Sequence, residues 1–322
     1  MRAPDLLYLS RSDVEALAIR PVELVDAVER VFRAKVEGRA QGTHKTTLYP
    51  GEGRLQQTML ATTEDPPFFA IKCVGLSPEN HDKGLPHIGA VVVLHDGTSG
   101  MPVSVMDATW MTAMRTAAMS GAAARRLARA DSASIGFVAC GAQAESHLAI
   151  MKALFPLKRV VAYGRRRETA EALAAQAKKM GLAAEAAERP EQAVRDLDIV
   201  VTSVPAGPGQ KAELDPAWLK PGSFAAMPDL GRSWIKEGLS ALDLIATDDR
   251  GQSTQLAQAG KLAWPGPFPA DLGELVTDHK GRTNVVQRTA FLFPGFALGD
   301  LAAAMLIYDR ARKSGRGTKL PA

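Results

Sequence analysis

The segment Gly136-Phe-Val-Ala-Cys-Gly-Ala-Gln-Ala144 lies where a predicted buried strand turns into a predicted helix, and it decides the fold. A dinucleotide-binding turn needs three small residues here, for a tight turn, for close approach of the backbone to a pyrophosphate and for helix–strand packing. Ala139 departs from the usual glycine at the first position, whereas Gly141 and Ala144 fit the other two. A helix beginning near Ala142 would offer free backbone N–H groups to phosphate. Taken alone, the segment is equally compatible with an ordinary strand-to-helix turn.

Strands and helices alternate on the C-terminal side of this segment. We predict strands over 133–139, 159–163, 183–187, 198–204, 223–227 and 244–247, and helices over 142–155, 168–180 and 191–197. Such alternation indicates a parallel sheet with right-handed crossovers and helices on both faces. The prediction is therefore an α/β fold with a Rossmann-type dinucleotide-binding domain over 130–295.

The rest of the chain has the pattern of an α+β domain. A helical pattern over 12–37 is interrupted by Pro21, and predicted strands follow over 45–49, 55–62, 68–74, 89–95 and 103–106. Turn residues over 96–100 predict a hairpin, so this sheet should be mostly antiparallel. A long Ala-rich helix is predicted over 108–130. A last helix over 299–313 is expected to pack back on this domain, which would comprise 1–129 and 296–322, and the tail 313–322 is expected to fray.

The residues after the strand over 159–163 bear on the choice of cofactor. Gly164 is followed by Arg165, Arg166 and Arg167, and no acid stands at the strand end. An acid there would hold the ribose 2′-hydroxyl of NAD, whereas arginine accommodates the 2′-phosphate of NADP. The sequence favours NADP(H) over NAD(H), with a solvated helix start as the alternative interpretation.

A second strand end also points to a cofactor. Thr202, Ser203 and Val204 close the strand over 198–204, at the carboxyl edge where cofactors lie in open α/β sheets. The alternative interpretation is a plain turn before Pro205.

The composition excludes several classes of protein. Of the 322 residues, 46% are hydrophobic and 23% charged, and the net charge of +4 is dispersed rather than gathered into a nucleic-acid-binding stripe. Cys73 and Cys140 are too far apart for a disulfide framework, and the six histidines have no metal-ligand spacing. With no apolar run of about 18 residues and no signal-peptide pattern, we expect a cytoplasmic protein without a membrane, metal or nucleic-acid partner.

The chain resembles the ornithine cyclodeaminase/mu-crystallin family over nearly its whole length. The resemblance rests on sequence strings at 70–75, 84–87, 94–100, 106–108, 112–118, 141–144 and 295–300, of which Arg-Thr-Ala-Ala (115–118) followed by Gly-Ala-Gln-Ala (141–144) is the most specific. The family includes cyclodeaminases, imino-acid reductases, amino-acid dehydrogenases and a lens protein that binds a small hormone. The resemblance implies a homodimer formed through the first domain, a Rossmann second domain and a small amino or imino acid as substrate.

Three basic residues match family positions that contact substrate. Lys72 interrupts an apolar run, so it should face a cavity or a counter-charge rather than solvent. Lys45 stands where the family usually has an arginine for the substrate carboxylate, so it keeps the charge but loses the bidentate geometry. Arg115 is implied to act near the cofactor and the reacting centre.

The resemblance also assigns cofactor and catalytic positions. Asp229, just past a strand end, matches the catalytic aspartate, although an aspartate before Gly231 is also a common turn residue. Gly141, Ala142 and Gln143 match the pyrophosphate-contacting turn. Further cofactor positions are His87, which replaces a usual threonine, together with Arg115, Thr116 and Met227. The departures surround the substrate pocket and put the substrate in doubt more than the chemistry.

These residues suit hydride transfer at the α-carbon of a small amino or imino acid. Lys45, Lys72 and Arg115 would anchor a carboxylate, and Asp229 or Lys72 would exchange a proton with nitrogen. An imine reductase or amino-acid dehydrogenase is the first hypothesis. A cyclodeaminase that recycles NAD and releases ammonia is the second, and a non-catalytic small-molecule binding protein is the third.

Overall fold

The computed structural model describes residues 5–80, 82–86, 88–207 and 210–321. The chain forms two compact units, Met1–Arg115 with Phe296–Ala322, and Thr116–Gly295. The division falls inside the helix Thr109–Leu127, whereas the sequence pattern placed a domain boundary after that helix, at 129/130. A helix that continues through a division leaves no break in the pattern of apolar residues.

The elements are numbered in chain order. The strands are β1 (Leu6–Leu9), β2 (Ala40–Gly42), β3 (Thr46–Gly51), β4 (Arg54–Glu64), β5 (Pro67–Leu76), β6 (Ile88–Asp96), β7 (Pro102–Asp107), β8 (Ser134–Val138), β9 (Arg159–Tyr163), β10 (Ala183–Ala186), β11 (Ile199–Thr202), β12 (Phe224–Met227), β13 (Leu244–Thr247), β14 (Ala270–Asp271), β15 (Thr289–Leu292) and β16 (Thr318–Leu320). The helices are α1 (Arg11–Ala16), α2 (Pro21–Val36), α3 (Thr109–Leu127), α4 (Ala142–Leu154), α5 (Arg167–Lys179), α6 (Arg250–Gln258), α7 (Leu272–Val276) and α8 (Ala297–Ser314).

The first unit contains a mixed sheet in the order β16-β1-β7-β6-β5-β4-β2, with β3 also paired to β4. The predicted antiparallel hairpins are confirmed, and the pair β1–β7 is parallel. The central strand β5 buries alternate residues, Ala70, Lys72 and Val74, on the face against which α8 packs. A lysine therefore occupies a core position of this sheet.

Residues 318–320 of the C-terminal tail form a strand, so the expectation that this tail frays is wrong. Strand β16 pairs antiparallel with β1, and Leu6 faces Leu320. Edge pairing relies on backbone hydrogen bonds and needs no apolar pattern, so the Gly- and Lys-rich composition did not indicate it.

The second unit is the predicted doubly wound domain. Its strands follow the order β10-β9-β8-β11-β12-β15-β13-β14, and all of these pairs are parallel. The short helix expected over 191–197 is instead a 3₁₀ turn, Pro190–Ala193. That turn crosses β8 so closely that a Cβ on Gly136 would lie 1.9 Å from the carbonyl oxygen of Ala193. Gly136 is thus required for close packing of this turn on β8, next to the dinucleotide-binding segment.

The chain order reverses direction between β8 and β11. The first strands of the unit run outward from β8 through β9 to β10, and the later ones run the other way from β11. Ligands in open α/β sheets bind outside the carboxyl ends of the strands at such a switch point.

Within the described ranges, no helix combines the length and apolar character needed to cross a membrane.

Candidate active-site residues

The turn between β8 and α4 has the geometry that a phosphate-binding turn requires. Ala139 has a φ of 72°, the left-handed conformation that glycine adopts without penalty. Gly141 is the N-cap of α4 and provides no side-chain cap. No described atom lies within 4 Å of the place where its Cβ would be. Gly141, Ala142 and Gln143 therefore present backbone to open space at a helix N-terminus.

The Ala139→Gly variant is expected to gain up to about 1 kcal/mol of unfolding free energy. An L-residue in the left-handed region is strained by roughly 1–2 kcal/mol, and the greater freedom of glycine in the unfolded chain offsets part of the gain. Chemical denaturation measures the difference. The control Ala144→Gly, a buried position in α4, should lose about 1 kcal/mol. A loss at position 139 as large as that at 144 would show that the left-handed turn is not strained.

A buried histidine fixes α4 to the part of α3 that belongs to the second unit. Nδ1 of His147 lies 2.7 Å from the carbonyl oxygen of Gln143, so that nitrogen carries the proton. Nε2 then accepts from the Ser120 hydroxyl at 2.9 Å. Burial lowers the pKa of His147 to about 4, which keeps the ring neutral. Sequence reasoning missed this pair, which holds the helix whose first turn carries Ala142 and Gln143.

The arginines after β9 are exposed. Arg167 begins α5 and pairs with Glu171 at 2.8 Å. Among the residues that the structure describes, no acid forms an ion pair with Arg165 or Arg166. The carboxyl end of β9 is therefore bordered by two guanidinium groups whose charge is uncompensated.

The ends of β11 and β12 meet at a buried carboxylate. Oδ1 of Asp229 accepts the Thr202 hydroxyl at 3.0 Å and the Gly231 backbone N–H at 3.2 Å, and Oδ2 accepts the Ser233 hydroxyl. Thr202 in turn accepts the indole N–H of Trp234 at 3.2 Å. The Thr202 side chain is thus engaged inside the unit.

The remaining predicted residues of this edge occupy neighbouring positions. Ser203 donates its hydroxyl to the carbonyl of Ala139 at 3.4 Å, which connects the two predicted cofactor segments. The carbonyl of Val204 accepts from Arg232 at 3.1 Å, and Met227 is fully buried at the end of β12. Thr116 is buried in α3. The structure therefore brings Gly141, Ser203 and the Asp229 network to one edge of the parallel sheet.

The Asp229 carboxyl has an unusual proton affinity. Its side chain is 3% exposed, and burial raises its pKa to about 6 despite the three hydrogen bonds and the Arg232 charge, which act in the opposite direction. Such a group can change protonation state near neutral pH, as acid–base catalysis requires.

The first unit holds a buried charge cluster. Nζ of Lys72 lies 2.7 Å from Oδ1 of Asp300, and Nε of Arg115 lies 2.9 Å from the same oxygen. All three side chains are at most 5% exposed. Two buried cations thus contact the same carboxylate oxygen, and neighbouring cations of this kind are suited to bind an anion.

Burial and like charges alter the Lys72 ammonium. Burial and the positive charges of Arg115 and Lys45 together lower its pKa to about 7, while Asp300 acts in the opposite direction. Lys45, next to β3, is therefore close enough to affect Lys72 electrostatically. His87, which the sequence assigned to the cofactor, lies outside the described residues.

Sequence reasoning overlooked several members of these clusters. Asp300 stands alone in the apolar run at the start of α8, a pattern that itself calls for a buried cation. Ser233 follows Asp229 by four residues without a helix between them, so its contact with the carboxylate depends on the turn at Leu230 and Gly231, both of which have positive φ. Trp234 joins the network through Thr202.

Comparisons with known proteins cover nearly the whole chain. The model of the ornithine cyclodeaminase/mu-crystallin family matches residues 5–315. The alanine dehydrogenase of Archaeoglobus fulgidus is 30% identical, over 98% of either protein. The structure of Thermococcus litoralis Δ1-pyrroline-2-carboxylate reductase in complex with NADH and L-proline superposes with a TM-score of 0.86 at 29% identity, covering 97% of this chain and 99% of that one. An archaeal alanine dehydrogenase dimer with bound NAD gives 0.88 at 30% identity, with 98% and 99% covered.

Proposed function

Because the chain belongs to the ornithine cyclodeaminase/mu-crystallin family, we propose that it is an NAD(P)-dependent oxidoreductase acting on a small imino or amino acid. Hydride would move to or from the α-carbon, as in a ketimine reductase or an amino-acid dehydrogenase. The observation that carries this proposal is the buried cluster in which Lys72 and Arg115 both contact the carboxylate of Asp300. Two buried cations side by side suit the carboxylate that every amino or imino acid possesses.

The second unit fits a nicotinamide dinucleotide. Gly141, Ala142 and Gln143 would hold the pyrophosphate, because the space beside Gly141 is open and the helix start has no side-chain cap. The backbone at Thr202 and Ser203 lies at the carboxyl edge, where the rest of such a cofactor runs. When bound, the cofactor supplies or accepts the hydride.

NADP(H) is the proposed preference over NAD(H). Arg165 and Arg166 are exposed at the end of β9, where a 2′-phosphate would lie, and no acid occupies the position that would hold a 2′-hydroxyl. The two related structures carry NADH and NAD, so the proposed preference would differ from the cofactors bound there and rests on Arg165 and Arg166 alone.

Replacing both Arg165 and Arg166 by serine should raise the KM for NADPH by roughly 10- to 100-fold and leave the KM for NADH nearly unchanged. A charge-assisted hydrogen bond to a phosphate contributes roughly 1.5–3 kcal/mol. Steady-state kinetics with each cofactor measures the change. Arg167→Ser is the matched control, since that guanidinium already pairs with Glu171. Equal losses for both cofactors would contradict a 2′-phosphate site.

The proposed roles of the remaining residues follow from their chemistry. Lys72, Arg115 and Lys45 bind the substrate carboxylate and orient the α-carbon for hydride transfer. Asp229, or Lys72 itself, exchanges a proton with the substrate nitrogen, since both groups titrate near neutral pH.

Cofactor consumption on a substrate panel tests the proposal. NADPH and NADH oxidation would be followed with cyclic imino acids and with 2-oxo acids supplied with ammonia or methylamine. Net oxidation that depends on Lys72 and Asp229 supports the reductase. Ammonia release from ornithine or lysine with catalytic NAD and no net cofactor change would instead establish a cyclodeaminase. Tight cofactor binding without turnover of any substrate would indicate a binding protein.

We also propose a homodimer in the cytoplasm. The archaeal alanine dehydrogenase named above is a dimer, and Cys73 and Cys140 are both unpaired, as is usual in a reducing compartment. Light scattering coupled to size-exclusion chromatography measures the mass, which should be twice the 34.3 kDa of one chain.

A further inference from the structure

Asp300 occupies a position where an acid is unfavourable unless it has a specific partner. It lies in the first turn of α8 among Leu298, Leu301 and other fully buried apolar residues, and its own side chain is 2% exposed. An N-terminal turn favours an anion through the helix dipole, but burial of a charged carboxylate requires direct compensation. That compensation comes from Lys72 and Arg115.

The two cations meet Asp300 in an asymmetric way. Both approach Oδ1, at 2.7 Å from Lys72 and 2.9 Å from Arg115, while Oδ2 has no hydrogen-bond partner within the described part of the chain. The three side chains come from β5, α3 and α8, and the carboxylate is the point at which they join. Asp300 therefore fixes the separation of the two cations and also reduces their mutual repulsion.

We propose that Asp300 is a positioning residue for the substrate carboxylate: its Oδ1 holds Lys72 beside Arg115 and reduces the repulsion between them, so that Lys72 stays charged for the ligand. Lys45 adds a further positive charge near Lys72. Without Asp300, the adjacent Arg115 and Lys45 would oppose protonation of Lys72, and its ammonium would lose its proton at lower pH. Asp300 thus keeps the lysine charged over the pH range in which a carboxylate must bind.

This inference rests on the proposed function for its substrate, but the decisive measurement does not. Lysines labelled with ¹³C at Cε would be titrated by NMR, and the Lys72 resonance would be identified by its absence in Lys72→Met. Asp300→Asn should move the Lys72 titration to lower pH, Asp300→Glu should restore most of the shift, and Asp309→Asn, exposed on the same helix and paired with Lys313, should leave it unchanged. An unchanged titration in Asp300→Asn would overturn the proposal.

Kinetics provides the second arm. In Asp300→Asn, the KM for the imino acid should rise about tenfold at pH 8 for each pH unit by which the Lys72 titration moves, with a smaller change in kcat. The defect should shrink at pH 6, where Lys72 is protonated again, whereas a purely structural defect would persist at both pH values. A shifted NMR titration in a protein that turns over no imino acid would refute the proposed function and leave the role of Asp300 intact.

A charge-restoring double variant covers the case in which Asp300→Asn does not fold. Lys72→Met combined with Asp300→Asn removes one cation together with the carboxylate and therefore leaves the net charge of the cluster unchanged. If Asp300 compensates charge, the double variant should fold and melt at a higher temperature than Asp300→Asn. A double variant no more stable than the single one would overturn the proposal.

Discussion

Lys72→Met is expected to reduce kcat/KM for the imino acid by roughly 10²–10⁴-fold while the protein stays folded. Methionine has similar length and suits a buried position, and Arg115 remains to compensate Asp300. The loss reflects the missing ammonium, which binds the carboxylate or donates a proton. Steady-state kinetics and thermal unfolding of the same preparation measure both quantities.

The pH dependence separates the two possible roles of Lys72. Its pKa is lowered from 10.5 to about 7, so the ammonium is present below pH 7 and is lost as pH rises through that value. If the ammonium binds carboxylate, kcat/KM should fall through this range, and Lys72→Arg, charged at all these pH values, should abolish the fall. An activity that rises through pH 7 would contradict this role and assign the neutral amine as a proton acceptor. Lys83→Met, an exposed lysine, is the control.

Asp229→Asn is expected to lower kcat by roughly 10²–10⁴-fold without unfolding the protein, since an amide cannot exchange the proton. Asparagine can still accept from Thr202 and Gly231 and can donate to Ser233, so the turn should survive. Rapid-quench or steady-state measurements of turnover quantify the loss. An unchanged kcat would show that Asp229 only supports the turn.

The direction in which the stability of Asp229→Asn changes with pH, relative to the natural chain, can also be predicted. Because the folded-state pKa of Asp229 is raised from 3.8 to about 6, its contribution to stability is present below pH 3.8 and is lost as pH rises through 6. Asp229→Asn should therefore become more stable relative to the natural chain as pH increases from 4 to 6. Asp198→Asn is the matched control with the opposite trend. The pKa of Asp198 is lowered to about 2, so the ionised carboxylate contributes stability above pH 3.8. Asp198→Asn removes this contribution and should therefore be less stable than the natural chain above pH 3.8.

Much of the fold could be predicted because periodicity reports burial directly. The strands near β4, β5, β6, β8, β9 and β13 and the helices α2 to α5 were expected from short apolar runs or from 3.6-residue apolar patterns. Strands β14 and β16 could not be predicted, because two or three residues are too few to show a periodic apolar pattern. Their pairing depends on the backbone of distant partners, as β16 does on β1.

Some of the candidate site residues could likewise be predicted from the sequence, and others could not. Lys72 could be identified from sequence because a lysine within an apolar run contradicts its surroundings, and Asp229 because it follows a strand end and matches a family position. Asp300 is also a charged residue in an apolar run, as Lys72 is. The sequence does not show, however, that these two residues, 228 positions apart, are in direct contact. Thr202 was expected to face a cofactor, yet its hydroxyl turns inward to Asp229.

By itself, the sequence determined the fold class and the family, and it predicted the positions at which a dinucleotide and a carboxylate would be recognised, because small residues, apolar periods and misplaced charges are local properties of the chain. Only the tertiary structure decided which groups act on one another. It placed Ala139 in the left-handed conformation, surrounded Asp229 with three donors and brought Lys72 and Arg115 to one carboxylate. Proton affinity follows from burial and neighbouring charge, and both are set by contacts between residues that are distant in sequence.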